Sequence, residues 1–279
     1  MEQKPKSDDV TRAPVAMTIA GSDSGGGAGI QMDLRVMSSL GVYGCTALTA
    51  LTAQNPNEVR NVVGQDAEFV SAQVQTVVDH YEVAAIKTGM LWSQSIIKTI
   101  AEFAASNHDI PFIVDPVMIA TSGAKLVTEE AIKTYKNELL PLATLMTPNL
   151  DEAEVLLDGH SIQEDNMEAA ATMLRERYKC DVLLKGGHLN GDPFDVLVSE
   201  NGAKFFQHVR VPKVNTHGSG CCLSAAITSY IALGSDIETA VTKALNFLQK
   251  ALQTPITPQT GDNPEPFLGV ENAARSAQV

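Results

Sequence analysis

At 279 residues, with 44% hydrophobic and 19% charged residues, the chain has the composition of a soluble globular protein long enough to bury a substantial core. A formal net charge of −13 speaks against nucleic acid or an anionic membrane as partner, since both need a basic surface. Four cysteines (Cys45, Cys180, Cys221, Cys222) form no C-x-x-C pair, no signal peptide heads the chain, and no run of about 18 apolar residues could span a bilayer, so a reduced, cytoplasmic setting is expected.

Residues 1–13 are polar, carry both signs of charge and are expected to form a disordered extension. Residues 15–20 read as a short buried strand that runs straight into residues 21–29, of which five are glycine. A helix follows over 30–40. Strand, glycine-rich loop and helix open a parallel α/β unit, whose ligands belong at the carboxyl ends of the strands. The loop fits a dinucleotide fingerprint poorly, because no acidic residue ends a second strand about 20 residues on, and NAD is excluded. Residues 44–53 form a second expected strand, broken at Gln54-Asn55-Pro56-Asn57-Glu58, with a small flap over 59–63.

Val70, Val74, Val77 and Val78 make a helical stripe, residues 84–87 a third strand, and 93–106 another helix. Further strands cover 111–115, 143–146 and 181–185; 194–198 and 203–206 pair as a hairpin across Asn201-Gly202. Asn149 can cap a helix that carries Glu152 in its first turn. His217-Gly218-Ser219-Gly220-Cys221-Cys222 leads into a helix whose apolar face holds Leu223, Ala226, Ile227, Tyr230 and Ile231. A glycine-rich turn opening a helix converges unpaired N–H groups on an anion, and the same field favours the thiolate of Cys221. A last helix runs from Ile237 to Leu252; residues 254–279, rich in Pro and Gly, read as a tail or an extended wrap. One domain over 14–253 accounts for the whole.

Several stretches, in their order and spacing over roughly 15–252, resemble one family. They include Thr18-Ile19-Ala20-Gly21-Ser22-Asp23, Gly26-Gly27-Ala28-Gly29-Ile30-Gln31 with Asp33, Lys87-Thr88-Gly89-Met90-Leu91 and Val114-Asp115-Pro116-Val117-Met118. Later come Thr147-Pro148-Asn149 with Glu152, Lys185-Gly186-Gly187-His188, and Asn215-Thr216-His217-Gly218-Ser219-Gly220-Cys221. The family is the hydroxymethylpyrimidine kinase/phosphomethylpyrimidine kinase family of thiamine biosynthesis, within the ribokinase-like superfamily. The resemblance implies a three-layer α/β/α fold, with a mostly parallel sheet between helices and a small flap. It also implies ATP and Mg²⁺, small-molecule substrates only, and a homodimer. By position, Gln54 and Gly21 would meet the aminopyrimidine, and Asp33, Met90 and Val117 would shape the pocket around the ring. Gly218, Ser219, Gly220 and Cys221 would cradle the transferring phosphoryl, with Cys221 as base or orienting group. Asp115 and Glu152 would position the metal with Asn149, and Lys185 would face the nucleotide phosphates. A pyridoxal kinase of the same superfamily and a catalytically silent pyrimidine-binding sensor are the competing readings. Where Leu245 stands the family often has Lys.

Overall fold

A computed structural model of the chain describes residues 12–118, 128–187, 192–259 and 265–275. Most of the expected N-terminal extension (1–11), His188 and parts of the C-terminal segment therefore lie outside the described residues.

The centre is β1 (Val15–Ser22), whose interior residues are all buried. Parallel to it lie β2 (Tyr43–Asn55) on one side and β4 (Val83–Thr88) on the other. Beyond β4 the sheet continues in parallel through β5 (Phe112–Val114), β6 (Leu145–Met146) and β7 (Asp181–Lys185). Antiparallel strands finish both edges: β3 (Glu58–Gly64) beside β2, and β8 (Phe194–Ser199) with β9 (Gly202–Gln207) beyond β7. The order is β3-β2-β1-β4-β5-β6-β7-β8-β9. From β1 the chain goes first towards β2 and later back past β1 to β4. The crevice for ligands therefore opens at the carboxyl ends of β1 and β4.

Side chains alternate across a strand, and here the alternation builds two cores. Met17, Ile86, Val114, Met146 and Val182 face one layer, with α2 (Ala67–Val78), α3 (Gln94–Ser106), α4 (Glu129–Thr134) and α6 (Met167–Tyr178). Ala85, Ile113, Leu145, Leu183 and Leu197 face the other, with α1 (Gly29–Ser39), α7 (Ser219–Ala232) and α8 (Ile237–Gln253). This is the expected three-layer arrangement.

One expectation shifts. The break expected at Gln54 does not end β2, which runs to Asn55 and pairs with β3; the turn comes at Pro56 and Asn57, where the Asn55 side chain accepts the N–H groups of Asn57 and Glu58. This antiparallel ribbon is the flap. For the segment after α8, expected as a tail or an extended wrap, the described residues take the second form. Ile256 bridges Phe267, a short helix, α9 (Val270–Arg275), follows, and Leu268, Val270 and Ala273 are buried in the core shared with α7 and α8. It is an extended wrap that belongs to the domain.

Candidate active site

A cavity of about 570 Å³ lies along the carboxyl edge of the parallel strands. Every residue singled out from the sequence lines it, with the exception of Asp33.

The first wall is the glycine-rich loop after β1. Asp23, almost fully buried, accepts hydrogen bonds from the N–H groups of Gly25 (2.8 Å), Gly27 (3.1 Å) and Ala28 (2.9 Å). Its Oδ2 also pairs with His217 Nε2 at 3.1 Å. Burial works against the charge, but the His217 hydrogen bond and the loop N–H groups outweigh it and hold the carboxyl below its usual range. The flap docks on this loop: Ser24 and Gln54 exchange two 2.8 Å bonds between the serine hydroxyl and the Gln54 backbone. The Gln54 side chain reaches towards His217 Nε2, 3.5 Å away. Met90, whose thioether end fills the space beside Gly21, and half-buried Val117 also line the cavity.

The second wall is the N-terminus of α7. Gly218 caps this helix at φ +80°, and a Cβ there would overlap the Gly27 carbonyl oxygen, so only glycine lets the two loops touch. The Ser219 N–H donates to Thr216 O, so this donor of the expected cradle is used within its own turn. The N–H groups of Gly220 and Cys221 stand in the first turn, where a helix has no acceptors of its own to offer. Cys221 is half-buried against the cavity, yet its thiol departs from expectation. Burial pushes it up to about 11, and Asp33 and Asp115 add to that push, which Lys87 and the Gly29 N–H only partly offset. At neutral pH it is a thiol; the thiolate expected from the helix field alone does not form.

The floor is a charged cluster. Asp115, at the end of β5, takes Lys185 Nζ (3.2 Å) and the Thr147 hydroxyl (3.2 Å) on Oδ1, and the Ser224 hydroxyl (3.2 Å) on Oδ2. Against the cost of burial, Lys185 chiefly holds Asp115 below the usual carboxylate range, and Asp115 in turn raises Lys185. Gly220 lies directly over this pair, since a Cβ on it would be 3.4 Å from Lys185 Nζ and 3.8 Å from Asp115 Oδ2. Beside them, α5 (Leu150–Leu156) opens with a capping box: Asn149 Oδ1 accepts the Glu152 N–H (2.8 Å), and Glu152 Oε2 accepts the Asn149 N–H (2.9 Å). Burial raises Glu152 to about 7, opposed by Lys185 and assisted by Asp115. Among the described residues no three His, Cys, Asp or Glu side chains gather closely enough to cage a metal. With their oxygens already engaged, Asp115 and Glu152 suit Mg²⁺ held mainly by water and substrate phosphates, the way this ion is commonly bound.

Residues 23–265 match the phosphomethylpyrimidine kinase family. The chain belongs to that family. Its relatives include the hydroxymethylpyrimidine/phosphomethylpyrimidine kinase of Streptomyces coelicolor, 40% identical over 86% of this chain and 88% of that protein. Another is the thiamine biosynthesis bifunctional protein ThiED of Geobacter sulfurreducens, 42% identical over 85% of this chain; the match spans only 49% of that longer protein. Among solved structures, the phosphomethylpyrimidine kinase of Clostridium difficile 630 is 38% identical, with a TM-score of 0.77 over 86% of this chain and all of its own. The Bacillus subtilis pyridoxal kinase in its ADP complex is 32% identical, with a TM-score of 0.83 over 95% of this chain and all of its own. The fold is thus that of the ribokinase-like kinases, and the chain is a phosphotransferase.

For this member of the phosphomethylpyrimidine kinase family, one residue expected at the ring pocket lies elsewhere. Asp33 is fully buried in α1 and accepts Lys87 Nζ on both oxygens (2.9 and 2.8 Å) and the Thr18 hydroxyl on Oδ2 (2.6 Å). Held by Lys87 and Thr18, this carboxylate does not line the cavity and so does not meet a ring bound there. Conversely, Asp23, His217 and Lys87 bear on the site more directly than the sequence suggested. Asp23 followed by glycines is an Asx-turn signal that could have been read; the partners of His217 and Lys87, distant in sequence, could not.

Proposed function

We propose that the chain transfers the γ-phosphoryl group of ATP to the hydroxymethyl oxygen of 4-amino-5-hydroxymethyl-2-methylpyrimidine, and then to the phosphate of the resulting monophosphate, in thiamine biosynthesis. The observation that carries this reading is the placement of Gly220 over the Lys185–Asp115 pair in a cavity that Gln54, Met90 and Gly21 also line. The cavity thus combines an N–H cradle and a fixed cation with an amide able to both donate and accept, which is what the N–C–NH₂ edge of an aminopyrimidine requires.

In the transfer, the hydroxymethyl oxygen forms the new O–P bond while the bond from the γ-phosphorus to the β,γ-bridging oxygen breaks. ADP leaves with that electron pair, and the hydroxyl proton ends in solvent. The transition state is loose, so positioning and charge neutralisation supply most of the rate, with little early proton removal. That suits a Cys221 that is a thiol: it orients the attacking hydroxyl, and its backbone N–H, with that of Gly220, meets the developing charge. Lys185 faces the nucleotide phosphates. Asp115, Glu152 and Asn149 would hold Mg²⁺ through its waters, and the ion would neutralise phosphate charge. Leu245, with Leu248 and Leu252, gives the cavity an apolar wall suited to a flat base. A homodimer in the cytoplasm completes the reading, and among the described residues no helix is long and apolar enough to cross a membrane.

A second reading, pyridoxal kinase, rests on the closer superposition of the Bacillus subtilis enzyme and on a ring that also bears a hydroxymethyl group. Product analysis separates the two. The protein is incubated with Mg·ATP and either heterocycle, and the phosphorylated products are separated and weighed. Pyrimidine monophosphate followed by diphosphate supports the first reading, and pyridoxal phosphate as the dominant product supports the second. No product from either, with ligand binding intact, would leave only the silent sensor.

A further inference from the structure

Lys87 and Asp33 form an ion pair with both side chains at 0% exposure, at 2.8 Å, and Lys87 lines the cavity. Stability is a poor explanation for such a pair. Taking two charges out of water is costly, and apolar side chains of similar volume often serve a core equally well. Its placement suggests another. Lys87 sits near the end of β4, at the switch point of the sheet, and the space a Cβ would take on Gly89 is 3.2 Å from Nζ. Asp33 reaches it from α1, and the Thr18 hydroxyl on β1 fixes Oδ2 from a third element. An ammonium has three donors, and Asp33 occupies two directions of approach from below. Lys87 lines the same cavity as Asp115 and as Gly220 and Cys221 of the cradle.

We propose that the Lys87 ammonium, held in place by Asp33 and Thr18, is a positioning cation that acts through the first turn of α7 to stabilise the negative charge gathering on the transferring phosphoryl. No bond to Lys87 forms or breaks. The carboxylate behind it orients a permanent dipole, positive end towards the cradle. In a dry floor, a charge fixed before the reaction lowers the barrier without reorganising during it. Because the charge it answers appears mainly in the transition state, Lys87 affects kcat and leaves ground-state binding of the pyrimidine nearly unchanged. This inference rests on the kinase reading above.

The test is the double variant Lys87→Met/Asp33→Asn, which removes both charges and nearly keeps the volume. The expected result is a folded protein with a pyrimidine KM within about twofold of wild type and a kcat lower by about 100-fold or more. A folded double variant with wild-type kcat overturns the inference, and so does one in which KM rises as steeply as kcat falls. Should the double variant not fold, Thr18→Val decides. It removes one of the two hydrogen bonds on Asp33 Oδ2 while leaving the pair, and should lower kcat by about fivefold to tenfold at constant KM. No change there refutes the role. Wild-type protein assayed alongside keeps the two readings apart: a wild type that makes no phosphorylated pyrimidine refutes the kinase reading, whereas an active wild type matched by its variants refutes only the role of Lys87.

Discussion

Gly218→Ala separates backbone strain from loop contact, because the structure supplies its own control. Gly218 and Gly234 flank α7 at almost the same backbone angle, φ +80° and +87°. An L-residue there costs roughly 1–2 kcal/mol at either position. The surroundings differ: a Cβ on Gly234 meets nothing within 4 Å, whereas one on Gly218 runs into the Gly27 carbonyl, which is backbone and cannot rotate aside. Gly234→Ala should therefore lose only the strain energy and keep its activity. Gly218→Ala must in addition part the two glycine loops by roughly an ångström, a displacement that at a reacting centre costs on the order of 100-fold in rate. Urea midpoints and ADP release, measured on both variants, give the comparison. If Gly218→Ala loses no more stability than Gly234→Ala and keeps its kcat, then the contact between the loops does not position the phosphoryl group.

Three further outcomes are expected. Gln54→Leu should weaken pyrimidine binding by about 1–3 kcal/mol, seen in calorimetry or KM, while ATP binding holds, because Ser24 grips the flap through the backbone of residue 54 and not its side chain. Alkylation of Cys221 by iodoacetamide, followed by peptide mapping, should be slow at pH 7 and keep rising towards pH 11, since its thiol is raised to about 11; a plateau by about pH 8 would mean a thiolate near neutrality after all. Leu268→Ala should cost about 2–5 kcal/mol in chemical denaturation, because Leu268 is only 1% exposed, whereas a loose tail would register nothing.

The periodicity of the chain carried most of the fold. The stripe through Val70 and Val74 became α2 with both residues buried, and the apolar run ending on Lys185 became β7 with the expected bounds. What local pattern could not show was pairing. β2 outran its expected end because β3 offers it a partner across the turn, and the Pro-containing C-terminal stretch gave no sign that Leu268 and Val270 would find a place against α8. The site followed the same rule. Residues at strand ends were found where they stand, since strand ends converge on one edge. Asp33 was misplaced because its partner Lys87 lies 54 residues away. The thiolate of Cys221 was misjudged for a related reason: the helix field is written in the local sequence, while the desolvation and the neighbouring Asp33 and Asp115 charges that outweigh it come from the tertiary fold.

The carboxylate of Asp23 has one more effect. The described loops before α1 and before α7 are built almost alike, each glycine-rich and each leading into a helix, and either could in principle attract a phosphate. In the first, the side chain of Asp23 already answers the N–H groups of Gly25, Gly27 and Ala28, so that loop carries its own counter-anion and repels another. On the kinase reading proposed above, an incoming triphosphate would be turned away from the β1 side and towards α7. Asp23 would then set which end of the cavity receives the phosphoryl donor.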